Sequence, residues 1–280
     1  MRKRYDGQAA ALLTQHGKET LMGPILAASF GCEVRRVDGY DTDQLGTFSG
    51  EIKRLDNQIE TARKKARLGL ELSGLQLGIA SEGAFISDPF SGLVPWNIEV
   101  VVWLDTPSQL EVIGIAQGPT LSLHQAVRTW SELEVFAGYA AFPSHHLVMR
   151  PDSESDQRIF KGISTWDQLK QTFNACQNQS SNGRVYVEHD LRAFSHPTRQ
   201  AMIKNAVEDL VKKFQSLCPR CEAPGYGITG HRSGLPCRSC GSQTNSPLSF
   251  TFSCNACQFS EEKSTNEKFS DPSRCDVCNP

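Results

Sequence analysis

Apolar runs alternate with glycine-, proline- and acid-rich breaks along the first 215 positions. Ala9 to Thr14 (AAALLT) is short and wholly apolar until its last residue, which predicts a buried strand. The polar loop TQHGKETLMG follows, and Pro24 suits the first turn of a helix running to Phe30 with Ile25 and Ala28 toward the core. Glu33 to Asp38 predicts a second strand. From Lys53 to about Ser73, the residues Leu55, Ile59, Ala62, Ala66 and Leu70 recur at three- and four-residue intervals, one apolar face of a helix. Arg54, Lys64, Lys65 and Arg67 read as its solvated faces, with Glu60 and Lys64 able to pair at i,i+4. Leu75 to Ala80 predicts a strand ending in a turn at Ser81, Glu82 and Gly83. Ile98–Leu104 and Glu111–Ala116 predict an antiparallel hairpin about Asp105 to Ser108.

Farther on, Ser122 is expected to cap a helix through about Ala137, and His145 to Met149 to form a short strand. Adjacent His145 and His146 would point to opposite sides of it, against a shared metal. Thr165 to Cys176 predicts an amphipathic helix and Arg184 to Glu188 a strand. Pro197 opens a long helix that buries Ile203, Ala206, Leu210 and Phe214. Strands and helices in alternation make residues 1–216 an α/β domain.

Residues 217–280 read differently. Eight of the ten cysteines form four Cys-x-x-Cys pairs there: Cys218 and Cys221, Cys237 and Cys240, Cys254 and Cys257, Cys275 and Cys278. Each pair aims two thiolates at one ion, and two pairs complete the tetrahedron of a zinc site. Fifteen, thirteen and seventeen residues separate successive pairs. The simplest arrangement joins the first pair to the second and the third to the fourth, and a cross-braced arrangement is the alternative. Four thiolates leave no open position on the metal, so both zinc ions are structural. Cys32 and Cys176 stand apart as ordinary buried thiols. The tail offers His231, Arg232, Arg238 and Phe259 to a nucleic acid or protein partner, although its basic residues are interleaved with acidic ones.

Composition narrows the partners. The 280-residue chain has a formal net charge of -2 and a pI near 6.4, so bulk electrostatics recruit neither nucleic acid nor anionic lipid. No apolar run reaches the ~18 residues of a membrane span, and the basic N-terminus lacks the apolar stretch of a secretory signal. A soluble, cytoplasmic protein with no membrane partner is expected, its thiols kept reduced.

Candidate chemistry concentrates at Asp41 to Arg54 (DTDQLGTFSGEIKR). Asp41, Asp43 and Glu51 offer hard oxygen ligands, Thr42 and Thr47 hydroxyls, and Lys53 and Arg54 positive charge, while Gly46 and Gly50 let the backbone approach an anion. A solvated helix-capping loop would use similar residues. Thr14, His16 and Lys18 fall between a strand and a helix N-terminus, where an anion is favoured, though the spacing is not that of a Walker loop. Glu82, beyond a strand end, could reach into the crevice where open α/β sheets bind ligands. Arg192 and Arg199 could grip a phosphate, or could pair structurally with Glu188 and Asp190.

TQHGKE, DTDQLGTFSGEI, the basic helix and ASEGAF resemble, in order and content, the N-terminal half of the inosine/xanthosine triphosphate pyrophosphatases. The likeness covers roughly residues 9–120. His16 replaces the Asn of those families, Lys18 lies one residue closer to Thr14, and the paired aspartates of their acidic turn are missing. The whole chain looks like an uncharacterised bacterial family that joins such a domain to a zinc-ribbon end. The resemblance implies a mixed sheet flanked by helices and a Mg²⁺- or Mn²⁺-dependent hydrolase of nucleoside triphosphates or related phosphorylated small molecules. Glu51, Glu82 and Asp43 would then be catalytic or metal-binding, with Thr14, His16, Lys18, Thr47, Arg54, Arg192 and Arg199 on phosphate. The alternative is a non-catalytic module that senses nucleotides or binds nucleic acid or protein.

Overall fold

Four of the five residues of β1 (Ala9–Leu13) are buried, as expected of a parallel strand covered on both faces. The computed structural model describes residues 3–15, 17–42 and 57–280. His16, Asp43, Thr47, Glu51 and Arg54 lie outside the described residues. β1 pairs in parallel with β2 (Glu33–Val37) on one side and β3 (Leu77–Ser87) on the other. Helix α1 (Glu19–Phe30) joins β1 to β2 and stops at Gly31, whose φ of +76° suits glycine. It starts five residues before Pro24, because the Lys18 carbonyl already accepts the N–H groups of Leu21 and Met22, both at 3.0 Å. The proline therefore sits inside the helix and does not open it.

Helix α2 (Gln58–Ser73) is capped by Asn57, whose side chain accepts the Glu60 N–H, and leads into β3. β3 and β4 (Pro95–Asp105) pair antiparallel from Leu77 opposite Asp105 to Ser87 opposite Pro95. Ser81, Glu82 and Gly83 thus lie in mid-strand, not in a turn, since β4 satisfies the backbone well past them. β5 (Leu110–Pro119) completes a mixed sheet in the order β2-β1-β3-β4-β5. The chain leaves β1 for one neighbour and returns across it to the other, a topological switch point at its carboxyl end.

A second, antiparallel sheet runs β6-β9-β7-β8, from β6 (His124–Val127), β7 (Leu147–Pro151), β8 (Phe160–Ile163) and β9 (Val185–His189). Where a Ser122-capped helix was expected, His124 to Val127 instead pairs with β9, a case of tertiary pairing overriding local signal. Helix α3 (Trp130–Tyr139) begins only after Thr129, which caps it. It and α4 (Trp166–Gln179) cover one face through Leu133, Phe136, Leu169 and Phe173 against Leu147, Met149, Val185 and Val187. Helix α5 (Pro197–Gln215) follows, with Ile203, Ala206 and Leu210 fully buried.

The chain divides into two compact units, residues 1–109 with 114–210 and residues 110–113 with 211–280. The second contains an antiparallel sheet of β10 (Gly227–Ser233), β11 (Pro247–Ser253) and β12 (Ser260–Ser264). Among the described residues, no helix is long and apolar enough to cross a membrane.

Candidate functional site

The pairing of β1 with β3 stops at Leu12 opposite Ile79, and β3 runs on. Into the position that β1 vacates comes Lys18, whose Nζ donates to the Ser81 carbonyl at 3.0 Å. Its side chain is buried in an interior that holds four more charges. Lys65 Nζ meets Glu82 Oε2 at 2.6 Å, and Arg199 Nε meets Glu99 Oε1 at 2.7 Å, each partner less than a tenth exposed as a residue. Gly83 is paired with Glu99, so Glu82 and Glu99 point to opposite faces of the sheet. Helix α2 brings its lysine to the first and α5 its arginine to the second.

Gly83 is where the close approach shows. A Cβ there would collide with Glu99 Oε1 and Arg199 Nη2, so only glycine admits the buried ion pair. Arg199 Nη1 also donates to the Leu191 carbonyl at 2.6 Å, and Asn97 Nδ2 to Glu99 Oε1 at 3.1 Å. Burial, reinforced by the Arg199 charge and partly offset by Glu82 and Glu99, lowers the Lys18 pKa to about 7. Among the described residues, three buried atoms on the Glu99 face have no hydrogen-bond partner: Ser81 Oγ, Asn97 Oδ1 and Glu99 Oε2. Buried polar atoms are seldom left so, and these mark places for ordered water or a ligand's donors. Among the described residues, and with Lys18 protonated, three cations stand against two carboxylates across the two faces of this part of the sheet.

Of the residues singled out in the sequence, Lys18, Glu82 and Arg199 fall within this charged interior, Glu82 and Arg199 on opposite faces of the sheet, with buried Thr14 directly after β1. Arg192 is not among them, because Asp190 holds it (Nη2 to Oδ2 2.5 Å) over the Phe194 ring. Lys65, expected in solvent, is 9% exposed and belongs to the site. Glu99 and Asn97 were missed. A carboxylate inside the apolar run IEVVVWL was their signal, since such a group is buried only with partners. Arg199→Met is expected to cost about 3–5 kcal/mol by leaving Glu99 buried and unpaired. Adding Glu99→Gln should restore part of that loss in urea denaturation.

Near α5, the rings of His145, His189 and His196 meet with centroids 4.7–5.6 Å apart. Their nitrogens are engaged elsewhere. His189 Nδ1 accepts the Leu123 N–H and its Nε2 faces the Ala140 carbonyl, both at 2.9 Å. His196 Nδ1 accepts the Arg199 N–H at 3.1 Å and its Nε2 faces the Leu121 carbonyl at 2.8 Å. His145 contacts Ser144 and Thr198. The trio is therefore a hydrogen-bonded core element. His146 turns away toward Phe194.

In the second unit the cysteines form two quartets, Cys218 with Cys221, Cys254 and Cys257, and Cys237 with Cys240, Cys275 and Cys278. This is the cross-braced arrangement. The strands explain it: in an antiparallel sheet successive connections lie at opposite ends, so the second pair, between β10 and β11, cannot meet the third, between β11 and β12. The first pair, before β10, joins the third, and the last, after β12, joins the second. Cross-pair sulfur separations of 3.7 Å (Cys218–Cys257 and Cys221–Cys254), 3.8 Å (Cys237–Cys278) and 3.6 Å (Cys240–Cys275) match the edge of about 3.8 Å of a tetrahedron with Zn–S near 2.3 Å. Each quartet can thus hold a zinc ion. Burial raises the Cys218 pKa, but the N–H groups of Arg220 and Cys221 and the thiols of Cys254 and Cys257 outweigh it and bring it to about 7. The Ser242 hydroxyl and N–H, aided by neighbouring thiols, bring Cys240 to about 6. In the same quartets Cys221, despite the Ala223 N–H, and Cys278, beside the Cys240 thiol, are pushed up to about 12 by neighbouring thiols. Each quartet thus favours a thiolate at one sulfur and a thiol at another until a cation binds.

Residues 65–280 match a domain of unknown function, DUF6671, and the chain belongs to that family. The matched stretch holds both quartets and Lys65, Glu82, Glu99 and Arg199, whereas Lys18 precedes it. No curated protein matches the chain.

Proposed function

We propose that the first unit binds a phosphorylated small molecule of the nucleoside triphosphate class beyond the carboxyl ends of β1 and β3 and hydrolyses it with a divalent cation. The observation that carries this reading is the buried Lys18 ammonium at the switch point, beside two buried carboxylates in a cation-rich interior. Mg²⁺ or Mn²⁺ would supply charge neutralisation on the phosphates. Asp43, Glu51 and Glu82 are the oxygen ligands proposed for it, with Thr14, His16, Thr47 and Arg54 beside the phosphates. The likeness to the inosine/xanthosine triphosphate pyrophosphatases supports the same substrate class. Two zinc ions hold the second unit in a zinc-ribbon arrangement, and the eight thiols suit the reducing cytoplasm.

The ion pairs favour a second reading. Glu82 is engaged by Lys65 and Glu99 by Arg199, and carboxylates so neutralised suit a site that senses a nucleotide without cleaving it. Release of phosphate or pyrophosphate from a panel of ordinary and modified nucleotides, with zinc-replete protein and Mg²⁺ or Mn²⁺, separates the two. Turnover that falls at least tenfold in Lys18→Met supports hydrolysis. Binding without turnover, lost in the same variant, supports sensing, and neither overturns both. Because Lys18 carries its charge only below about pH 7, phosphate affinity should weaken as pH rises from 6 to 8.

A further inference from the structure

The second unit has a cleft of about 590 Å³ beside its second cysteine quartet. Two arginines line it. Arg238 lies inside the knuckle of Cys237 and Cys240, and Arg274 precedes Cys275. Backbone bonds fix this rim: the Arg238 N–H donates to the Ser270 carbonyl at 3.0 Å and the Ser270 N–H to the Pro236 carbonyl at 2.8 Å. Behind it the Ser246 and Ser270 hydroxyls are buried against each other at 2.7 Å. Phe250 and Phe269 line the same cleft, and Phe269 is 47% exposed.

The guanidinium groups are the telling feature. Among the described residues neither Arg238 nor Arg274 has a side-chain hydrogen bond or ion pair, whereas Arg232 of the same unit is paired with Glu262 at 3.0 Å. Acidic groups do line the cleft, Glu267 and Asp271; Asp271 is held mainly by Ser273, whose N–H donates to it at 2.8 Å, and more weakly by the charges of Arg238 and Arg274, neither of which forms an ion pair with it. Available planar cations and flat apolar rings are the two components of a sequence-tolerant single-strand site: the rings stack bases and the cations follow the phosphates. An apolar peptide would leave both guanidiniums unsatisfied, and an acidic one would leave the rings unused. The volume falls within the range of small-ligand pockets, about 300–1,000 Å³, which fits a short stretch of one strand whose unstacked bases can reach the rings.

We infer that this cleft binds single-stranded nucleic acid, with Arg238 and Arg274 on phosphates and Phe250 and Phe269 under bases. The site is independent of the chemistry proposed for the first unit. Fluorescence anisotropy of the zinc-loaded full chain with labelled twelve-residue oligo(dT) and oligo(rU) tests it. Single strands should bind at least tenfold more tightly than a duplex of equal length. Two phosphate contacts predict a slope of about -1.4 for log affinity against log salt. Arg238→Gln and Arg274→Gln should each remove about half of that slope, and Phe269→Ala should weaken binding roughly tenfold. Zinc content is measured for every variant. If an arginine variant loses metal, the half-exposed Phe269, outside both quartets, decides. No binding of either single strand, or unchanged affinity in Phe269→Ala or in the zinc-replete double arginine variant, overturns the inference. So does an acidic peptide that binds through the same arginines while the oligonucleotides do not.

Discussion

Cys221→Ser combined with Cys257→Ser is expected to leave one zinc ion per chain, and Cys221→Ser combined with Cys240→Ser to leave none. The first pair of substitutions falls within one quartet and the second touches both. Pairing in sequence order would give the reverse, so zinc analysis of the two purified double variants decides the connectivity. The energetic consequence is large because the metal stands in for a core. The buried cluster at the first quartet consists of Cys218, Tyr226 and Cys254, with Ala223, Phe252, Cys257 and Phe259 packed on it, so three of its seven members are cysteines able to hold a metal. A unit this small rarely stabilises itself by apolar burial alone, and structural zinc supplies an apparent 10–16 kcal/mol in comparable small sites. Stripping both ions with a chelator should therefore unfold residues 211–280, read as loss of amide protection from β10 to β12. Protection that survives with no zinc bound would show that the sheet stands without metal.

The sequence displayed the eight ligands but not their partners, since spacing between cysteine pairs is silent about the direction of the chain between them. Three antiparallel strands settled the matter: β11 alternates Leu248, Phe250 and Phe252 with Ser249, Thr251 and Ser253, but its partners β10 (GITGHRS) and β12 (SEEKS) are polar and carry no such pattern. In the first unit, β1, α4 and α5 were legible because burial imposes an unbroken apolar run on a parallel strand and a regular stripe on a helix. The strand continuing through Ser81 to Gly83 was not. Glycine after a carboxylate looks like a turn, whereas Gly83 is required by a side chain on the neighbouring strand and another on α5. Lys65 was misplaced for a related reason. It falls three residues after Ala62, beside the apolar stripe, and its charge concealed a position that Glu82 makes tenable. Charged residues in the interior are thus legible only in pairs whose members lie 17 and 100 residues apart, and local pattern does not reach that far.

Acid should unfold the first unit earlier than its apolar core would suggest, through His145, His189 and His196. All three are less than a tenth exposed. Burial lowers each pKa, and for His196 the charges of His145 and His189 add to the effect and bring it to about 3. Geometry gives the same direction: the Nδ1 atoms of His189 and His196 each accept a backbone N–H, and a proton placed there would break that bond and leave two donors facing each other. The unfolded chain takes these protons near pH 6.5, while the folded chain does not. Stability contributed by the neutral trio is therefore complete above about pH 6.5 and is lost as pH falls. Each histidine removes roughly 1.4 kcal/mol per pH unit until its folded-state pKa is reached. For His196 the window extends to about pH 3, an order-of-magnitude loss of 4–5 kcal/mol. Tryptophan fluorescence isolates the event from acid release of zinc, because Trp96, Trp103, Trp130 and Trp166 all belong to the first unit. Urea midpoints followed that way between pH 7.5 and 4 should fall steeply in the native chain. In His196→Asn, whose side-chain oxygen can still accept the Arg199 N–H, the slope should be shallower by the equivalent of about one proton. Equal slopes in the two proteins would mean that His196 is protonated in the folded state, and that the trio tolerates a charge its hydrogen bonds leave no room for.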